Sequence, residues 1–382
     1  MKTIKLLHIL AVLLLAIGCK EPYLPPIKSD QNSYLVVESY LNGQGTTTLK
    51  LSRTYKLDDS TGVRPELNAI VQVESQSSGQ VSRMDHKGNG IYETVLSLTT
   101  TDKYRVKIIT SNNKVYVSDF VDYKPTPAID EISWQRKNDG VQIYANTHDP
   151  QNKTIYYRWD YDETWEFHSP YDSRYDFEMT GRNTYVISTR DQSINLDSCW
   201  TTQSSTRVIL GSSAKLERDV ISLSPITFIP NGSWKLGVKY SILVRQYALT
   251  EEAFQYWQLL MKNTEQMGTI FDPQPSETVG NIHSVSDPNE LVIGFISAGI
   301  IQEKRIFITN SELPNWNYVS DCEFGIIRNS PDTLLYFLRG GNNDIVKEAE
   351  LPWEPGTFGY MIADIPCIDC RTKGANTKPA FW

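Results

Sequence analysis

The chain has 382 residues, with 37 basic and 45 acidic side chains and a formal net charge of −8. That balance, without any Lys/Arg cluster, excludes nucleic acid as a favoured partner, and the length is ample for two or three domains with a sizeable core. Tyr 21, Phe 12 and Trp 9, with Val, Ile and Thr in short runs, favour pleated sheet, so the expected fold class is mainly β.

Lys2 and Lys5 precede an apolar run from Leu6 to Ile17, broken only by His8, that stops at Gly18-Cys19. This is the plan of a secretory signal peptide over residues 1–18. A membrane-spanning helix needs about 20 apolar residues, so the run is too short to be one. Cys19 stands where a bacterial lipobox carries its acylated thiol, although Ala16 occupies a position that pattern gives to Leu. The reading is lipidation of Cys19 and a membrane partner through the anchor; the alternative is an ordinary leader followed by an incidental cysteine. Residues 19–32 include Pro22, Pro25 and Pro26 and form an extended stand-off tether.

Residues 33–124 alternate in short strands separated by Gly/Asn turns. Examples are Tyr34 to Glu38, Thr48 to Leu51, Ala69 to Val73 and Tyr104 to Ile108. This spacing predicts an Ig-like or prealbumin-like sandwich, closed by Pro125-Thr126-Pro127. A second, larger β-rich domain is expected over 128–382. It opens on a period-two strand with Ile155, Tyr157, Trp159 and Tyr161 on one face and Tyr156, Arg158, Asp160 and Asp162 on the other. One amphipathic helix is predicted over about residues 250–267, with Thr250 as N-cap, Glu251 and Glu252 in the first turn, and Gly268 as the stop.

Four cysteines besides Cys19 remain, Cys199, Cys322, Cys367 and Cys370. In an exported chain they suit two disulfides, and sequence leaves all three connectivities open. Cys367 and Cys370 also have half-zinc spacing, but no second ligand pair accompanies them. No metal site is expected.

The acid-aromatic stretch from Tyr156 to Glu178 is the place to look for ligand contact. Trp159 and Trp165 could stack on a sugar ring, and Asp162 and Glu163 could supply carboxylates to a small-molecule or glycan ligand. An aromatic core face backed by a solvated acidic face explains the same letters. Asp160-Tyr161-Asp162-Glu163 lacks the pattern of an EF-hand loop, and His86, His148, His168 and His283 are scattered. Ser212-Ser213-Ala214-Lys215 has S-x-x-K spacing without the partner motifs that chemistry needs. There is no Walker loop, dinucleotide fingerprint or nucleophile elbow, so neither a cofactor nor an enzymatic activity is expected. Phe381 and Trp382 end the sequence with two large apolar side chains, either docked on the domain or offered to a partner. Asp59-Ser60-Thr61 and Asp332-Thr333-Leu334 have the form of short O-glycosylation acceptors.

Several segments together resemble a known family. They are Tyr157-Arg158-Trp159 with Glu163-Thr164-Trp165, Cys199-Trp200, Tyr240 to Val244, Leu249 to Trp257, Phe271 to Pro275, Gly280-Asn281-Ile282, Cys367 to Arg371 and Lys378 to Trp382. The combination is similar to Bacteroidota outer-membrane lipoproteins that carry a domain of unknown function, DUF4249, and are often encoded beside TonB-dependent receptors. The resemblance implies a lipid-anchored outer-membrane protein that assists a TonB-dependent transporter in nutrient uptake, and it transfers no catalytic residue. The competing expectations are a surface glycan-active or proteolytic enzyme using carboxylates between Tyr156 and Glu178, and a purely structural envelope lipoprotein.

Overall fold

Alternating apolar residues in Thr46–Arg53 send Thr47, Leu49 and Leu51 inward while Thr46, Thr48 and Lys50 face water. The same period organises most strands of the computed structural model, which describes residues 33–55, 62–265 and 279–382. The leader, Cys19, the tether, Asp59-Ser60-Thr61, Gly268 and Phe271 to Pro275 lie outside the described residues. Among the described residues no helix is long and apolar enough to cross a membrane.

The first unit is built from two sheets that share one core. Leu35–Ser39, Thr46–Arg53 and Ile91–Val95 belong to a six-stranded sheet, and Ile70–Ser75, Lys103–Ile109 and Val115–Ser118 to an eight-stranded one. Leu35, Leu49, Leu51 and Tyr92 from the first meet Val71, Val106, Ile108 and Tyr116 from the second. The unit is not the contiguous 33–124 segment expected from sequence. Val292–Ile293 pairs in parallel with Leu35–Ser39, and Ile282–Ser284 pairs with Val115–Ser118. Ala298–Gly299 inserts between Leu41–Asn42 and Val121–Lys124. Gly299 makes that insertion possible: a Cβ there would lie 2.1 Å from the Lys124 carbonyl and 2.2 Å from the Tyr40 hydroxyl. Val292–Ile293 and Ala298–Gly299 are two short parallel pieces, because between them the chain crosses from one sheet to the other.

A second sandwich follows. Its three-stranded sheet, Ile129–Lys137, Gly140–His148 and Val220–Pro230, packs on a five-stranded sheet. The latter runs Ser198–Ser204, Tyr156–His168, Lys239–Leu249, Gln302–Thr309, with Ile209–Ser212 continuing along the outer edge of Tyr156–His168. Ile132, Val141 and Ile143 meet Trp159, Trp165, Tyr240, Ile242 and Val244 in its core.

The helix Glu251–Glu265 starts where expected, with the Ala253 backbone N–H donating to Thr250 Oγ1 at 3.2 Å. Its buried side is set by Ala253, Phe254 and Tyr256, with Trp257 partly covered. Phe254 stacks on Tyr156 at 4.6 Å, which places the helix against the end of the five-stranded sheet. A second helix, Pro331–Leu338, corrects the expectation of one; its eight residues are too few to display a clear period. Asp332 and Thr333, from one of the glycosylation-like triplets, lie in its first turn. The helix packs with the sheet of Phe324–Arg328, Phe358–Asp364 and Asn343–Glu350 and with the hairpin Tyr175–Met179/Tyr185–Thr189.

Cys199–Cys370 and Cys322–Cys367 form the two disulfides, so the neighbouring Cys367 and Cys370 are not bonded to each other. They tie the C-terminal segment to the five-stranded sheet and to the loop before Phe324–Arg328. On the loop-entropy argument, bridges spanning 171 and 45 residues stabilise by about 4 to 5 kcal/mol each.

Candidate functional site

The thirteen-residue strand Tyr156–His168 divides its side chains between two environments. Trp159 is 0 % exposed, Trp165 4 % and Glu163 3 %, so these three face the sandwich core and are closed to any ligand. This corrects the surface role expected of them, and the cause is the pleat: 159, 163 and 165 share the inward parity of Tyr157 and Tyr161. Glu163 is a charged side chain at an inward position because the core supplies its partners. The Tyr240 hydroxyl donates to Glu163 Oε1 at 2.7 Å and Lys235 Nζ to Oε2 at 2.5 Å, with the ammonium 4.9 Å from the Trp165 ring. Burial, with the Glu163 carboxylate beside it, pushes the Tyr240 phenol well above its ordinary pKa.

The outward face carries a different set. Arg158, Asp160 and Asp162 project from it, and the register places Tyr247 opposite Arg158 and Arg245 opposite Asp160. Glu303 on the next strand lies opposite Arg245, and Ser204 on the outer edge opposite Asp162. Arg245 binds three carboxylates at once: Nη1 donates to Asp160 at 3.1 Å, Nε to Glu303 at 3.1 Å, and Nη2 to Asp162. The Ser204 hydroxyl donates to Asp162 at 2.6 Å. Burial alone would raise the Asp162 carboxyl, but the Arg245 guanidinium and the Ser204 hydroxyl hold it below the usual carboxylate range. The Arg158 guanidinium lies over two rings, 4.1 Å from Tyr247 and 4.6 Å from Trp257 of the helix.

These side chains form the floor of a cleft of about 940 Å³ where the two sandwiches meet. One wall comes from the first unit, including Glu38, Asn42 and Thr48; Trp257, Leu260 and Phe295 form the other. The Tyr40 ring packs edge-on to Tyr247 at 4.9 Å, joining wall to floor. Of the surface residues expected from sequence, Asp162 alone reaches this cleft. Arg245, Tyr247 and Trp257 are not among the residues singled out from sequence; Arg245 and Tyr247 share one parity of the strand Lys239–Leu249.

The remaining acids of the Tyr156 to Glu178 stretch lie away from the cleft. Asp176 pairs with Arg190 at 2.8 Å, Asp172 lies 3.8 Å from Arg174, and Glu178 is exposed. Among the described residues no group of three or more His, Cys, Asp or Glu side chains is placed to hold a metal ion. In the S-x-x-K segment Ser213 donates to the buried Asp219 at 2.5 Å, an acid that also accepts from Tyr157 at 2.6 Å. The motif is therefore a turn fastened beneath the sheet.

Phe381 and Trp382 dock at the far end of the same outward face. Trp382 Nε1 donates to Glu166 at 3.0 Å, its ring meets Phe307 at 5.6 Å, and the Arg305 guanidinium lies 3.6 Å from the Phe381 ring. Phe381 stays 42 % exposed. The outward face is thus covered at one end by these rings and opens at the other into the cleft.

A comparison with the curated proteins finds no match. The family model described as Domain of unknown function (DUF4249) matches residues 20–305, a span that takes in the first unit, the cleft floor and the helix. The match stops before Cys322 and before the segments around Cys367 and Trp382. Covering well over half of the sequence, it establishes that this chain belongs to the DUF4249 family.

Proposed function

We propose that the chain is a non-enzymatic accessory lipoprotein of the outer membrane, anchored through Cys19, that holds a ligand in the cleft and works beside a TonB-dependent transporter in nutrient uptake. The observation that carries this reading is the cleft itself, a recess of about 940 Å³ with a charged, hydrogen-bonding floor and aromatic walls. Such recesses, with a few converging polar groups among apolar ones, are where small ligands bind. The short apolar leader ending at Cys19 and the proline-rich tether support the anchor, which would keep the cleft close to a transporter in the same membrane.

The test is recovery of the tagged full chain, in mild detergent, from the membranes of its native cell. An outer-membrane receptor barrel is expected to co-purify, and intact mass is expected to include acyl chains on Cys19. Recovery without any barrel protein argues against the accessory role, and an unmodified amino terminus argues against the anchor. An enzymatic reading would draw on the cleft carboxylates Glu38, Asp160, Asp162 and Glu303, of which the last three are already bound to Arg245. Turnover of a polysaccharide or peptide that disappears in Asp162→Asn would favour it over the binding role.

A further inference from the structure

The charged side chains of the cleft nearly balance, three arginines against four carboxylates. Arg158, Arg207 and Arg245 face Glu38, Asp160, Asp162 and Glu303, and the central charges compensate one another over hydrogen-bond distances. A strongly anionic ligand would meet the carboxylates and a cationic one the guanidinium groups, so neither gains from the field of the site. Yet the floor is not saturated. Arg245 spends three of its N–H donors on Asp160, Asp162 and Glu303, whereas a guanidinium has about five. Asp162 accepts from Ser204 and Arg245, and a carboxylate offers about four lone-pair sites. Donors and acceptors therefore alternate across neighbouring strands, about 5 Å apart, each held in place by its neighbours before any ligand arrives.

Neutral groups that donate and accept at once match this pattern, and vicinal hydroxyls are such groups. The half-buried Trp257 and Phe295 add apolar walls against which the C–H face of a ring can lie. A volume of about 940 Å³ is near the top of the range of roughly 300–1,000 Å³ found for small-ligand sites. From these features together we infer that the cleft takes a neutral oligosaccharide. Its hydroxyl pairs bridge Asp160 or Asp162 and Arg245, and a ring lies on Trp257. This rests on the reading of the cleft as the binding site.

The experiment is titration calorimetry on the full chain in detergent. The neutral probes are maltohexaose, cellohexaose, xylohexaose and mannohexaose; hexagalacturonate, a chitosan hexamer and a hexapeptide serve as charged and non-sugar comparisons. At least one neutral hexasaccharide is expected to bind more tightly than all three comparisons. Removing a charged hydrogen-bond partner, as in Asp162→Ala, is expected to weaken it at least about tenfold. Thr206→Trp, which puts a bulky ring at an exposed position of the cleft lining that is outside the Arg245 ion-pair cluster, is expected to do the same, with circular dichroism and the thermal midpoint unchanged. The inference is overturned if no neutral hexasaccharide binds, if a charged sugar or the peptide binds as tightly, or if binding survives both substitutions. A receptor barrel that co-purifies while every sugar fails leaves the accessory role standing and removes only this ligand class. Sugar binding without a barrel does the reverse.

Discussion

Glu163 illustrates how a residue can be legible in type and misleading in place. An acid in an aromatic strand reads as solvated, yet parity sends it inward, and its cation comes from Lys235, 72 residues away, which no local pattern reveals. Removing one member of a buried pair strands the other, so Glu163→Ala should cost about 3–5 kcal/mol, whereas replacing Glu163 with Gln and Lys235 with Met together should cost much less. Urea midpoints of the two variants measure the difference; equal losses would mean that the pair is not a coupled unit. Asp162 sits on the opposite parity and behaves differently. Its carboxyl is held low in the folded chain, against about 3.9 when unfolded. Above about pH 5 the carboxylate is ionised in both states and its stabilisation is complete. As the pH falls the unfolded chain takes the proton first, and the contribution is lost by the time the pH passes the folded value. Wild-type stability should therefore fall more steeply than that of Asp162→Asn below about pH 5. Parallel acid-denaturation curves for the two proteins would remove this role from Asp162.

At the scale of elements, period and capping were readable, while pairing was not. The strand from Tyr156, the helix after Thr250 and most strands of the first unit follow from alternation or from one N-cap, each a property of adjacent residues. Disulfide connectivity depends instead on which loops meet, so Cys199–Cys370 and Cys322–Cys367 could not be separated from the other pairings before the fold was known. The cleft was readable only in part for the same reason: Asp162 announces itself, but Arg245 becomes its partner through strand register and Trp257 through helix docking. The bridge at Cys199 fastens the outer edge of the five-stranded sheet to the segment that leads into Phe381 and Trp382. Cys199→Ser should lower stability by about 2–5 kcal/mol. It should also loosen the docked tail, seen as faster hydrogen exchange at Trp200 and Ala375, whose backbones pair with each other. A loss of global stability with unchanged exchange there would show that the bridge acts on the unfolded chain alone.

For the whole molecule, the decisive feature is that the first sandwich is not contiguous in sequence. Its core includes Ile282, Val292, Ile296 and Ala298, contributed after the chain has built the second sandwich and the helix. Without them the Leu35–Ser39 and Val115–Ser118 strands lose partners and expose unpaired edges, which template aggregation. The first unit should therefore depend on the rest of the chain for its fold. The two units are also joined by the floor and wall of the cleft, so the architecture that completes the first sandwich fixes the width of the recess. A fragment spanning residues 33–124 is expected to show no cooperative thermal transition by circular dichroism and to aggregate at micromolar concentration, while the full chain unfolds cooperatively. Adding residues 279–300 through a flexible linker should restore a transition, because those residues supply the missing ladder partners and apolar side chains. A soluble 33–124 fragment with a sharp transition of its own would place the stability of this sandwich in its contiguous strands, and the later segment would then be an addition to a complete unit.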